Sequence, residues 1–338
     1  TADAQWFYVM LPPGTLTEGF ILEVLNGENV VFTRSTTNNP NMVRNVIRGI
    51  SSDIEIENIP EGAIRGLFTV GGTADNPTKV YFSKGNLQFS PGTGTHKTAE
   101  DAEGNTPGTW RFAPHQYDVL HTSNDDVSSE YTSSYTGWID LFGWGTSGWN
   151  SGADAYQPYS TSTDNYDYCP GLSFTNGLTG AYANADWGVY NEIVVDDAGT
   201  IVAPGTYRTL TNAEWSVLIG RTVNGGTGQN HSYTYGRKVN DVLGVIIYPD
   251  DYTGGTPSAD LSVEEWASYE DKGCVFLPCA GLRSGTSLLN VGSYGHCWSS
   301  TCNGAYGAYY VLFFSGNFYT NNYYRYYGRS VRLVRVAE

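Results

Sequence analysis

Basic residues are scarce in this chain. Lys and Arg number 18 against 34 Asp and Glu, giving a formal net charge of −16 over 338 residues. A nucleic-acid partner is therefore not expected, because phosphate backbones demand basic patches. An anionic membrane surface would exert no attraction either. Long apolar runs are missing: no stretch of about 18 apolar residues occurs, so no membrane-spanning segment is expected. The N-terminus has no charged segment followed by an apolar one, and any signal peptide is expected to have been removed. Cysteine is limited to Cys169, Cys274, Cys279, Cys297 and Cys302, an odd number at no zinc-ribbon spacing, which leaves the redox compartment open.

Catalytic signatures are thin as well. His96, His115, His121, His231 and His296 are scattered through loop-like sequence, with no HExxH motif or nucleophile elbow, and read as surface or packing residues. Carboxylates cluster at Asp125-Asp126, at 164–167, at Asp196-Asp197 and at Asp250-Asp251, yet none of these runs has the EF-hand pattern. Solvated turns are the default there, with a structural calcium as the alternative. Cys274 and Cys279 flank Val275-Phe276-Leu277-Pro278; an extended strand would hold them about 17 Å apart, too far for a disulfide, so buried free thiols are expected.

What the chain has in abundance is tyrosine, glycine and short apolar runs. Glycine accounts for 41 residues and tyrosine for 26. Such a composition, low in Lys and without long helical periodicity, predicts a strand- and loop-rich α+β fold and suits an extracellular protein. The length allows two domains. Residues 1–60 read as a small β domain: Gly19 to Leu25 and Asn29 to Thr33 flank the hairpin signal Asn26-Gly27, with further strands at 5–11, 43–50 and 54–59. After Pro60 to Arg65 come the apolar runs 67–70, 79–83, 85–89 and 109–113. The Trp-Gly-rich stretch 137–147 reads as loops anchored by buried indoles. Two capping boxes with apolar residues behind them predict helices: Thr211 with Glu214, ending at Gly220, and Ser262 with Glu265. Val242 to Tyr248 and Cys274 to Leu277 read as strands.

The densest feature lies near the C-terminus, where eleven of the 22 residues from Tyr306 to Tyr327 are aromatic. Tyrosine with Ser, Gly and Asn is the usual composition of a binding surface, giving large rigid contact area at low entropic cost. Adjacent pairs such as Tyr323-Tyr324 and Tyr326-Tyr327 must point to opposite faces of a strand, so part of the cluster is expected outside and part in the core.

Three resemblances give this pattern a setting. Trp6-Phe7-Tyr8-Val9-Met10-Leu11-Pro12-Pro13 followed by Gly19-Phe20 resembles the C-terminal portion of fimbrillin-type pilins of Bacteroidales fimbriae. Tyr207-Arg208-Thr209-Leu210-Thr211-Asn212-Ala213-Glu214-Trp215 resembles a segment of the formylglycine-generating-enzyme-like, C-type-lectin-related fold. Phe276-Leu277-Pro278, Trp298-Ser299-Ser300 and Ser330-Val331-Arg332-Leu333-Val334-Arg335 follow in that fold's order, over 66–338. Within that superfamily the chain is most similar to the variable proteins of diversity-generating retroelements of gut Bacteroidales and their phages. Their C-terminal segment, here about 285–335, is randomised at Asn- and Tyr-type codons.

The resemblance implies a non-enzymatic ligand-binding protein, adhesin- or receptor-like. It would be displayed on a pilus tip, as a lipoprotein or on a phage particle. A protein or glycan on another cell or host surface would be its ligand, with pilin subunits as further partners and no cofactor. The residues expected at the ligand are His296, Cys297, Cys302, Asn303, Tyr306, Tyr310, Leu312, Phe314, Phe318, Tyr319, Tyr323, Tyr324, Tyr326, Tyr327 and Arg329. Calcium-dependent sugar binding is not expected, since the EPN, QPD and WND signatures of such lectins are absent. Two alternatives stand beside this reading. Cys297 and Cys302 reproduce the five-residue spacing of the copper-binding pair in formylglycine-generating enzymes, and soft cuprous ion suits two thiolates. The other is a structural pilin subunit with no ligand.

Overall fold

The computed structural model describes residues 59–91, 108–132, 135–149, 161–164, 177–223 and 232–337, together with the backbone of four strands nearer the N-terminus. The chain divides into two compact units, Thr1–Ile59 and Pro60–Glu338. In the first, β1 (Gly14–Thr15) pairs with β4 (Asn41–Met42), and β2 (Phe20–Asn26) pairs antiparallel with β3 (Asn29–Thr36). Asn26 stands opposite Asn29, a register one residue beyond the one that a turn centred on Asn26-Gly27 predicts. The Trp6 to Pro13 motif and the expected strand at 43–50 lie outside the described residues, as does nearly all of 54–59.

The second unit is strand-rich, with four helical segments among the described residues. None of these helices is long and apolar enough to cross a membrane. Its strands begin with β5 (Phe68–Gly72), β6 (Pro77–Phe82), β7 (Leu87–Ser90) and β8 (Thr109–Phe112). A 3-10 turn at Gly180–Ala185 runs into the short helix α1 (Trp187–Tyr190). Both lie in a stretch that sequence patterning reads as loop. The Asp186 N–H closes the 3-10 turn on Ala183 O, and its carboxylate accepts from Gly188 N–H and caps α1.

Three two-residue strands follow: β9 (Ile193–Val194), β10 (Ile201–Val202) and β11 (Arg208–Thr209). The helix α2 (Asn212–Gly220) carries the full capping box, with Thr211 Oγ1 accepting from Glu214 N–H and the Glu214 carboxylate from Thr211 N–H. Glu214 also holds Arg208 through two hydrogen bonds of 2.8 and 2.6 Å, tying the helix start to β11. Next come β12 (Tyr233–Val239), β13 (Val242–Ile247), α3 (Val263–Glu270) and β14 (Val275–Pro278). The box at Ser262 and Glu265 starts α3, which continues beyond the apolar pattern to Glu270. A short hairpin, β15 (Leu282–Ser284) with β16 (Ser287–Leu289), leads to the long strands β17 (Gly295–Asn303), β18 (Gly307–Phe314) and β19 (Asn317–Tyr324). The chain closes in β20 (Leu333–Val336).

Sheet order ties the last strand to the start of the unit. β20 is an interior strand, between β11 and β6 in the order β11-β20-β6-β5, so the C-terminus is locked against the start of the unit. Leu333 belongs to one core and Val334 to another, the alternation of a strand covered on both faces. The first core gathers Trp110, Phe112, Phe142, Trp144, Trp187 and Trp298. The second lies under α2, where Trp215 and Leu218 meet Phe68, Phe82 and Val245. A third, smaller core surrounds Trp266 of α3.

The Trp-Gly stretch is loop anchored by indoles. Trp144 Nε1 donates to Ser299 O at 2.7 Å, and Trp298 Nε1 returns a bond of 2.7 Å to Phe142 O. These two buried indoles thus satisfy their donors on backbone carbonyls. Cys274 and Cys279 are buried free thiols at the two ends of β14, one in the third core and one in the second.

Candidate ligand-binding surface

β17, β18 and β19 form one antiparallel sheet with β18 in the middle. A two-residue turn joins β18 to β19. Ser315 and Gly316 have φ of 45° and 86°, the positive pair of a type I′ turn, which fixes the register Phe314 opposite Asn317. The β17–β18 connection is held differently. Arg325 is buried, donates from Nε to Gly307 O and from Nη2 to Gly304 O, both at 2.9 Å, and stacks over Trp144.

The register sorts the aromatic cluster by face. Ala308, Tyr310 and Leu312 of β18 belong to the first core; Val311 and Phe313 belong to the second. Opposite residues of an antiparallel pair share a face, so Tyr319 and Tyr323, paired with Leu312 and Ala308, stand on the first-core side. Phe318, paired with Phe313, points into the second core. β18 is therefore covered on both faces. Beyond it the cores end, and apart from Phe318 the residues of β19 keep solvent contact.

Of the fifteen residues expected at the ligand, eight keep solvent contact. Tyr306, Tyr319, Tyr323 and Tyr324 are 59%, 40%, 47% and 40% exposed, and Cys302, Asn303, Phe314 and Tyr327 are half-buried. The other seven are buried: His296, Cys297, Tyr310, Leu312, Phe318, Tyr326 and Arg329. For these the expectation of direct ligand contact does not match the placement. The cause is the central position of β18 and the cover over β17, whose Trp298 N–H bonds Ser330 O. Sequence reasoning passed over Asn317, Asn321, Asn322 and Tyr294, which keep solvent contact beside the exposed tyrosines. The three asparagines share β19, whose Asn/Tyr composition is the signal that marks them; Tyr294 lies just before β17.

The surface rings form two groups. Tyr294 stacks on Phe314 with centroids 4.5 Å apart, and Phe314 meets Tyr319 edge-on at 6.4 Å. A second group joins Tyr323 to Tyr324 and Tyr327, and Tyr326 to both Tyr324 and Tyr327, at 4.8–5.4 Å. Arg329 lies against the second group and against two rings of the first core. Its guanidinium carbon lies 3.9 Å from the centroid of Tyr310, 4.5 Å from Trp298 and 5.3 Å from Tyr327. Only 1% of Arg329 is exposed, and burial pushes its pKa down to about 10, which leaves it charged at neutral pH. Its Nε and Nη1 have no hydrogen-bond partner.

His296 lies on the same side of the sheet, between Tyr294 and Tyr310. Burial, with the Arg329 charge as the next cause, pushes its pKa down to about 3, so the ring is neutral. Its Nδ1 lies 3.0 Å from Gly281 O; since a carbonyl only accepts, Nδ1 carries the proton.

Cys297 and Cys302 do not converge. Cys297 is in the second core, where burial pushes its thiol up to about 12, whereas Cys302 packs against the first. The bulge between Trp298 and Cys302 sets them opposite Val311 and Ala308, three positions apart on β18. Among the described residues, no group of three or more His, Cys, Asp or Glu side chains is arranged to hold a metal ion. The carboxylate runs resolve into local caps and pairs. Asp126 accepts from Ser128 N–H, Asp196 from Thr200 N–H, and Asp250 joins Thr69 to Arg221. Cys169, His96, His231 and Asp167 lie outside the described residues. No protein family, curated protein or solved structure matches the chain.

Proposed function

We propose that this chain is a surface-displayed ligand-binding protein of the adhesin or receptor type, whose exposed C-terminal tyrosines and asparagines meet the ligand. The observation that carries the reading is Tyr319, Tyr323 and Tyr324 exposed on the edge strand β19, with Tyr306 exposed in the β17–β18 turn, beside a β18 buried on both faces. Monomeric proteins rarely expose large apolar patches without a use for them. A rigid support reduces the entropy lost on binding, and tyrosine brings contact area with few rotatable bonds.

A C-type-lectin-like scaffold diversified by a retroelement accounts for the composition of β19 and for its constant-looking surroundings. Residues 1–60 then act as a pilin-like platform at a pilus tip, on a lipoprotein or on a phage particle. Under this reading, sequence variation falls on the solvent-facing positions of β17–β19 and spares Tyr310, Phe313 and Phe318, which the cores require.

Two measurements test it. Wild-type protein should bind saturably to at least one component of glycan or surface-protein arrays. Replacing Tyr319, Tyr323 and Tyr324 by Ser should then weaken binding by more than about tenfold, the loss expected when hot-spot rings are removed, with an unchanged melting temperature. Sequencing the locus from several isolates should find changes concentrated at the exposed positions. A flat distribution of changes, or binding indifferent to the triple substitution, would refute the proposal.

A further inference from the structure

The acidity of the whole chain hides a segment of opposite character. From Lys272 to Ala337 there is no Asp or Glu, while Lys272, Arg283, Arg325, Arg329, Arg332 and Arg335 are all cationic. Four of these arginines, Arg283, Arg325, Arg329 and Arg332, are buried. Three of them spend N–H groups on backbone or amide oxygens: Arg283 on Gly285 O and Leu141 O, Arg325 on the turn carbonyls, Arg332 on Gln116 Oε1. Arg329 differs from them in its surroundings. Its electrostatic partners are Tyr310, Tyr327 and Tyr323, it faces three aromatic rings, and, as in Arg332, two of its nitrogens have no acceptor.

A buried cation with no counter-ion is costly, and cation–π contacts offset only part of that cost. A guanidinium with unused donors is also the side chain best shaped to take a carboxylate through parallel hydrogen bonds. Tyr327, half-buried, covers Arg329, and exposed Tyr323 packs against Tyr327 with centroids 5.2 Å apart. Rotamer changes of such rings are fast, so a ligand group can displace them.

Building on the binding surface proposed above, we propose that its ligand is an acid, whose carboxylate passes between Tyr323 and Tyr327 and docks on the Arg329 guanidinium. The rings around Arg329 then contact the body of the ligand while the guanidinium selects its charge. A carboxylate can come from an acidic sugar or from an Asp or Glu side chain of a protein, and the chemistry at Arg329 is the same for both.

The test uses the full chain and two matched pairs of probes: methyl glucuronide with its amide, and N-acetylaspartate methylamide with the corresponding asparagine compound. Binding is read from the Nε–Hε resonance of Arg329 by nuclear magnetic resonance, the resonance being assigned by its absence in Arg329→Lys. At least one acid should shift this resonance saturably, with about tenfold or greater preference over its own amide, the discrimination a charge-assisted pair gives. Whichever acid does so identifies the source of the carboxylate. Arg329→Gln should abolish the preference; if that variant does not fold, the acid-to-amide ratio of the wild type decides alone. Acids and amides binding equally would overturn the carboxylate requirement while leaving a binding surface in place. Failure of all four probes to shift the resonance would overturn it too, and the array experiment would judge the binding surface separately.

Discussion

At His296 the tertiary fold reverses an ordinary property of a residue. A histidine with its usual pKa of 6.5 is half-charged in mild acid, but burial holds this one down to about 3. The unfolded chain therefore takes up a proton between these values that the folded chain refuses. The stability from neutral His296 is fully present above pH 6.5 and is lost as the pH falls toward 3, by up to about 1.4 kcal/mol per pH unit. Buried Asp140 has the opposite sign. Burial raises its pKa to about 6, so its contribution weakens as the pH rises from about 4 to 6. The two are separated by comparing wild type with His296→Asn, which keeps a donor for Gly281 O. In urea unfolding, the stability difference between the two proteins should shrink as the pH is lowered from 7 to 4. Parallel curves would mean that His296 is protonated in the folded state.

At the scale of elements, the sheet β17–β19 depends on one close approach. A methyl group at Gly295 would lie 1.8 Å from Phe313 Cε2, and Phe313 is packed edge-on against Phe318 at 5.6 Å. Gly295→Ala should therefore displace both rings and destabilise the protein by about 1–3 kcal/mol, as overpacked cores do. The measurement is the urea midpoint; an unchanged midpoint would mean that the ring has room to move.

Elements specified by neighbouring residues were legible in the sequence. Both capping boxes, the strand β13 and the indole-anchored loop at 137–147 follow from local patterns, and each is present. The orientation of the paired tyrosines was not legible, because alternation says that faces differ and not which face is covered. That depends on β18 having a partner on each side, a fact of long-range pairing. Arg329 was misplaced for a related reason. Arginine is mostly a surface residue, and the Trp298 ring that covers this one comes from β17, 31 positions away along the sequence.

At the scale of the whole molecule, charge is segregated along the chain, and the segregation has a kinetic consequence for any acidic ligand. The net charge of −16 sets up a field that repels an anion during approach, whereas Arg329 acts at contact and behind aromatic rings. Salt treats these two effects differently. Raising ionic strength from 10 to 150 mM shortens the Debye length from about 30 Å to about 8 Å, which screens the distant repulsion and barely touches a buried pair. For a short, fluorescently labelled polyglutamate peptide, the association rate should then rise with salt, by up to about tenfold, while the dissociation rate changes much less. This is the reverse of the salt response of an acid meeting an exposed basic patch, where association slows as salt is added. Stopped-flow measurement at several ionic strengths separates the cases. An association rate that falls with salt would mean that the carboxylate-free stretch from Lys272 to Ala337, rather than the net charge, governs the approach.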